Sequence, residues 1–539
     1  MSTAVETPVR KVTNRRARSG SGWRQRLLVI SFSDCLFLAL LLWPFAIGVF
    51  GWLGLLSDGD TGWHIRTGEY ILEHREVPRE DFFSFTKPGE PWFAWEWLAD
   101  VVLALLYRAG GLKGVVLFSG VMTALFGTLL FRSMLWRGAT PLVSLLLILV
   151  GMGAASIHFL ARPHLFTLVL LPVALWVVER DRQHPTRAVW LLVPLTVVWT
   201  NLHGGFLALI ACLGLLAAGE ALRYLADPES RRETGPAVLR YGLLTAACAA
   251  ASVVNPYGVE LHRHVGAYLR SDWIRDAVQE FQSPSFRSEN AAQFELLLFA
   301  GLLTAAPLLM RKRYAEVLWI LFWAHSALTS VRHVTIYVVV VLPLIAVEAT
   351  RWWDRWTEGS KASSVAGVFR SLGQEMAPAC RRTSVWVVAA VVALCLMDRP
   401  IRWPQDFPEQ KFPIHFIGRH AEQLAGSRVL TSDEWSDYLL FRFYPQQRVF
   451  VDGRSDFYGP EIGKQYVRAV HGAPDWEEIL DRHRVEVVMS SPEWALTSLL
   501  RRNPGWRLVE AGEEAVLFER VTPPQTLDRK SVPAANEIP

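Results

Sequence analysis

Cysteine is scarce in this chain and shows no pattern. Cys35, Cys212, Cys248, Cys380 and Cys395 are the five present among 539 residues, with no CxxC pair and no ligand-like spacing, so neither a disulfide framework nor a zinc site is indicated. A P-loop, a nucleophile elbow and a dinucleotide fingerprint are missing from the segment 400–522, which removes the commonest nucleotide-binding and serine-hydrolase chemistries there. No internal repeat has a convincing period. Neither sign of charge dominates. The formal net charge is +4, and the basic residues lie in separate loops rather than on one face, which argues against a nucleic-acid partner.

What is plentiful is apolar and aromatic. With 51% hydrophobic residues and 23 Trp, the chain is too apolar for an ordinary soluble enzyme. Between Leu27 and Met397 lie about eleven apolar stretches, most near the roughly 20 residues that span a bilayer as helix. The fold class expected is a mainly α polytopic membrane protein. Arg10, Lys11, Arg15, Arg16, Arg18, Arg24 and Arg26 precede the first stretch, which has no small-residue cleavage site. Residues 1–26 are therefore expected to be a basic cytoplasmic tail before an uncleaved span.

Basic loops then alternate with polar ones. Arg132 and Arg137, Arg180 to Arg187, Arg223 to Arg240, Arg311 to Arg313 and Arg351 to Arg382 fall on one side, and the segments 57–97 and 255–291 on the other. The positive-inside rule places the first set in the cytoplasm and the second outside. A transmembrane module over 27–399 is expected, in a bacterial cytoplasmic (inner) membrane. After it the pattern changes to short β-rich runs at Arg428–Leu430, Arg448–Val451, Val485–Met489, Trp506–Val509 and Ala515–Phe518, which predict an extracytoplasmic α/β domain over 400–522. Residues 523–539 are polar and Pro-containing, and are expected to be a disordered tail.

The polar groups that face outward are the candidates for chemistry. Asp60 and His64 share a face if their segment is helical, and such a pair binds a divalent cation or works as base and partner. The bland alternative is a helix cap, and for Asp58 a turn role with Gly59 suffices. Glu96, inside Trp92-Phe93-Ala94-Trp95-Glu96-Trp97, is costly if it faces lipid. It is either a second acid or ligand in a cavity, or a charge favoured at a helix N-terminus. Four polar knots separate apolar helices: Arg162-Pro163-His164, Asn201-Leu202-His203-Gly204-Gly205, Asn255-Pro256-Tyr257-Gly258 and Arg332-His333. Arg162 and Arg332 suit a phosphate clamp, with His164, His203 and His333 donating hydrogen bonds. The alternatives are snorkelling to headgroups or pairing with Asp60 or Glu96. Asn255 reads as a helix terminator, and Glu280 to Ser285 as a weaker candidate for the rim. In the last domain, Asp452, Arg454 and Asp456 follow a strand and either contact the acceptor or the membrane module or form an internal ion pair in a turn.

The segment from Asp58 to Trp97, with Asp60 to His64, Pro78, Asp81, Phe83-Ser84-Phe85-Thr86 and Trp95-Glu96-Trp97, resembles the first outer loop of bacterial membrane proteins related to the GT-C glycosyltransferases. Arg162-Pro163, Asn201-Leu202-His203-Gly204, Asn255-Pro256-Tyr257-Gly258 and Asp452-Gly453-Arg454 continue the likeness. It implies transfer of a sugar from a polyprenyl-phosphate carrier to an envelope acceptor, with Asp60 in the catalytic acidic position. Many relatives carry adjacent Asp and Glu there, whereas this chain has Asp58-Gly59-Asp60. The only cofactor considered is a divalent cation, Mg or Mn, on Asp60 and His64. The partners expected are membrane lipid and the lipid-linked sugar. Two other classes compete: a transporter or flippase of a polar or lipid-linked substrate, and a non-catalytic envelope scaffold.

Overall fold

The computed structural model describes residues 28–46, 51–288, 291–380, 384–397 and 402–521. The basic N-terminal stretch and the 523–539 tail lie outside the described residues. Five helices are long and apolar enough to cross a membrane: Trp97–Trp136, Pro141–His158, Phe206–Ala226, Ala291–Met310 and Val331–Trp356. Shorter apolar helices occur at Phe32–Phe45, Arg187–Leu202 and Trp386–Leu396. His164–Gln183, Arg231–Ala251 and Tyr314–Thr329, which end in charged or polar residues, share the same apolar core through Leu168, Leu244 and Trp319. The chain is thus a mainly helical multi-pass membrane protein. By length and composition, five of the about eleven expected crossings are met among the described residues.

The Trp97–Trp136 helix breaks at Gly110 and Gly111, the latter at φ +59, a conformation that glycine adopts without strain. The break divides a short helix carrying Asp100 from the long one that runs through the core. Charged side chains tie the helices together at the end away from Arg162, His203 and Arg332. Arg182 Nη1 lies 2.7 Å from Glu179 and 2.9 Å from Glu316, Arg311 Nη1 lies 2.6 Å from Glu348, and Lys312 Nζ lies 3.2 Å from Asp227. The basic loops and the polar knots therefore occupy opposite ends of the bundle.

At the polar-knot end sits a second core, and the 57–97 segment helps to build it. Strands β1 (Arg428–Leu430), β2 (Arg448–Val449), β3 (Val487–Ser490), β4 (Trp506–Ala511) and β5 (Val516–Arg520) form one sheet in the order β2-β1-β3-β5-β4. The first three are parallel, whereas β5 is antiparallel to β3 and β4. Ser84 bridges Val449 in parallel, with Val449 N donating to Phe83 O (3.0 Å) and Phe85 N donating to Val449 O (3.1 Å), so the loop covers the free edge of β2. Phe83, Phe85 and Trp92 are buried together with Val429, Val488 and Phe518. Arg454 closes the seam. Its guanidinium donates to Asp452 Oδ2 (2.6 Å) and Asp81 Oδ1 (2.7 Å), with its Cζ 4.5 Å from the Trp92 ring centre. Arg454 thus forms both a buried ion pair with Asp452 within the domain and a contact to Asp81 of the membrane module's first polar loop.

Glycine lets the Asp60–His74 helix pack closely on both sides. A Cβ at Gly62 would stand 2.8 Å from the Asp437 carbonyl of the Asp433–Phe443 helix, and one at Gly68 would collide with the Asp100 carbonyl. Gly68→Ala is expected to cost about 1–3 kcal/mol, because backbone cannot yield as a flexible side chain can. Thermal unfolding in detergent, with Gly54→Ala as a variant in open space, measures it. Equal midpoints for the two variants would contradict the close approach.

Candidate active site

A cavity of about 380 Å³ lies between the helix bundle and the second core. Its lining includes Asp60, His64, Glu96, Arg162, His164, His203, Arg332 and His333. The four knots and the first polar loop thus converge, except that Asn255 holds a turn: its Oδ1 accepts from Tyr257 N at 2.8 Å. Asp58 is outside the lining and supports it, its Oδ1 accepting from Asp60 N at 2.9 Å.

Arg162 is the hub. Placed by the tight turn before the His164–Gln183 helix, it donates from Nη1 to Asp58 Oδ2 (2.9 Å) and Glu280 Oε1 (2.8 Å), and its Nη2 lies 2.6 Å from Asp60 Oδ2. Arg332, on the 3-10 turn Val331–His333, sets Nε 3.2 Å from Glu280 Oε2 and stacks on Phe281 at 4.7 Å. His164 Nε2 donates to His158 O at 2.5 Å and His333 Nδ1 donates to Ser326 O at 3.1 Å, so one donor of each ring is already engaged.

A second polar row lies beside the hub. His64 Nδ1 hydrogen-bonds Asp100 Oδ1 at 2.6 Å. The other ring nitrogen, Nε2, faces Glu96 Oε2 at 3.8 Å, and Glu96 Oε1 faces His203 Nε2 at 3.5 Å. Gly205 N donates to His203 Nδ1 at 2.9 Å, which leaves the imidazole proton on Nε2, towards Glu96. Burial, reinforced by the positive charge of Arg162, holds His64 and His203 well below the usual histidine range and therefore neutral. Burial pushes Glu96 up to about 8, against the pull of Arg162 and Arg332, and Asp60 up to about 7, against Arg162.

Asp60 and His64 both face the cavity but have different partners, and the cation beside Asp60 is a guanidinium. Among the described residues, no group of three or more His, Cys, Asp or Glu is arranged to hold a metal ion. Asp60 pairs with Arg162 and His64 with Asp100.

Four acidic residues carry more of the site than their sequence context suggests. Asp100 is buried, with Oδ2 lacking a partner. Its signal was present: it lies one helical turn beyond Glu96, in an apolar helix where a carboxylate is costly. Asp437 accepts from Gly453 N at 3.1 Å beside Asp60, and burial raises its carboxyl, as do Asp60 and Asp452. Glu280, a marginal rim candidate in sequence, bridges both arginines. Asp456 lines the cavity and pairs with His264 at 2.9 Å.

No protein-family model matches the chain, and no curated protein sequence matches it. Solved structures are similar. The oligosaccharyltransferase of Archaeoglobus fulgidus, solved with an inhibitory peptide and a dolichol-phosphate, superposes with a TM-score of 0.53 at 10% identity, covering 90% of this chain and 73% of the other. The apo form of an Archaeoglobus fulgidus oligosaccharyltransferase gives 0.49 at 12%, covering 87% and 69%. Apo ArnT from Cupriavidus metallidurans gives 0.46 at 15%, covering 90% and 97%. At these identities the likeness concerns the fold, and the first superposition carries it. The chain shares the membrane fold of that archaeal oligosaccharyltransferase.

The raised Asp60 carboxyl is directly measurable. Below about pH 7 it holds its proton, and above that it is ionised and able to accept one. An infrared carboxyl band absent from Asp60→Asn should titrate with a midpoint near 7. A midpoint near the ordinary aspartate value of about 3.9 would overturn this electrostatic description.

Proposed function

We propose that the protein is a membrane glycosyltransferase that moves a sugar from a polyprenyl-phosphate donor to an acceptor hydroxyl at the extracytoplasmic face. One observation carries the reading: two guanidiniums and two high-pKa carboxylates share a cavity whose other wall is apolar, with Leu207, Ala208, Val265, Leu269 and Phe322. A lipid-linked phosphate needs both halves, cations for the headgroup and an apolar path for the tail. The GT-C fold supports the reading, and so does the dolichol-phosphate in the Archaeoglobus fulgidus structure.

In this reading Asp60 takes the proton of the acceptor hydroxyl as its oxygen bonds to the anomeric carbon. The bond from that carbon to the phosphate oxygen breaks, and the electron pair leaves on the polyprenyl phosphate. Attack opposite the leaving group inverts the anomeric centre. Arg332, with His333 beside it and Arg162 next to Asp60, stabilises the charge growing on the phosphate, where a preorganised, largely dry site contributes most. Glu96, protonated at neutral pH, stands as a neutral acid facing His64 and His203. Arg162 supplies a countercharge to Asp60.

The orientation follows the basic loops, with the N-terminus cytoplasmic and the 400–522 domain outside a bacterial inner membrane. The 27–399 module carries the donor site and the α/β domain roofs it. Charge at the ends of the bundle, rather than at mid-span, favours transfer over a carrier.

Asp60→Asn is expected to abolish sugar transfer in vesicles while leaving the unfolding midpoint near that of the parent. Full product formation by this variant would remove Asp60 from the chemistry. Arg332→Ala should raise the donor KM about tenfold or more, as loss of a charge-assisted contact does. An unaltered donor KM would exclude the clamp.

A further inference from the structure

Glu280 occupies the space between Arg162 and Arg332. Its two carboxylate oxygens serve two different arginines: Oε1 accepts from Arg162 Nη1 at 2.8 Å, and Oε2 lies 3.2 Å from Arg332 Nε. An anion with oxygens on both guanidiniums is what the clamp is built to hold, and the protein already provides one. The side chain is 30% exposed, so it is not sealed in.

The segment that carries it is docked independently of that carboxylate. Ser330 Oγ donates to Glu280 O at 2.9 Å, Val331 N donates to Gln282 O at 2.9 Å, and Phe281 packs edge-on to Tyr268. The backbone is fixed to the Arg332 turn, while the side chain can rotate without undocking the loop. Asp58 and Asp60 remain on Arg162 when it does.

We propose that Glu280 is an internal counter-anion that the donor phosphate displaces, and thereby a specificity-determining residue of the clamp. The inference rests on the donor reading above. While the site is empty, Glu280 holds Arg162 and Arg332 at the separation that one anion can bridge. A single phosphate presents neighbouring oxygens as a carboxylate does, so the site is matched to one phosphate rather than to two in series. Lipid alcohols lack the charge to displace the carboxylate and are rejected. Other anions must compete with it, which raises the threshold for occupancy by ordinary headgroups whose tails do not fit the apolar wall.

The test is binding of a polyprenyl monophosphate to the full-length protein in lipid nanodiscs, with the matching polyprenol as a second probe. Glu280→Gln, which keeps the shape and loses the charge, should tighten monophosphate binding about tenfold and leave polyprenol unchanged. Arg332→Ala should weaken monophosphate binding by a similar factor. Ser330→Ala, which removes the backbone anchor but not the carboxylate, should produce no tightening. Weakened binding in Arg332→Ala with unchanged or weaker binding in Glu280→Gln would overturn the counter-anion while leaving the donor site in place. Equal tightening by Glu280→Gln and Ser330→Ala would assign the effect to loop loosening and overturn it as well. Unaltered binding in Arg332→Ala would reject the donor clamp itself.

Discussion

The structure turns on a single guanidinium. Arg162 gathers Asp58 and Asp60 from the 57–97 segment and Glu280 from the 255–291 segment, far apart in sequence. In a partly apolar cavity no one of these charges is tolerable alone, and each becomes tolerable through the others. The same contacts fix where Asp60 points, set the charge balance that Glu96 and the neutral histidines feel, and join Arg332 to the cluster through Glu280. Removing the guanidinium would leave uncompensated carboxylates against an apolar wall.

The architecture around this hub explains its rigidity. Arg162 and Arg332 sit on tight turns at helix ends, so little chain is free to move them. Asp60 begins a helix held between the Asp100 segment and the Asp433–Phe443 helix through glycine contacts. The α/β unit is bonded to the loop it covers, through the Ser84 bridge to β2 and the Asp81–Arg454–Asp452 group. Loop and sheet therefore act as one body, roofing a cavity whose floor is helical.

Much of this was legible in the sequence. The strand runs near Arg428, Arg448, Val487, Trp506 and Val516 were visible as apolar β-rich segments, and the polar knots stood out because charge between apolar helices needs a reason. The interruption after Tyr107 was marked by two glycines. Other features had no local signal. Phe83–Phe85 reads as a loop, and it becomes a strand-like edge only because β2 lies beside it. Glu280 looks like any exposed acid until two distant arginines are brought to it. Asp60 and His64 share a helical face, as their spacing suggests, yet tertiary contacts give each its own partner, Arg162 and Asp100. Pairing across hundreds of residues is set by packing, which periodicity does not report.

The central claim is that lipid-linked phosphate binds between Arg162 and Arg332, at the end of the bundle roofed by the α/β unit. An experimental structure in a nanodisc containing polyprenyl phosphate tests it most directly. The account predicts phosphate density within hydrogen-bonding reach of both guanidiniums, with the tail leaving past Leu207 and Phe322. Density for that phosphate at the opposite, basic end of the helices, near Arg182 and Arg313, would contradict it.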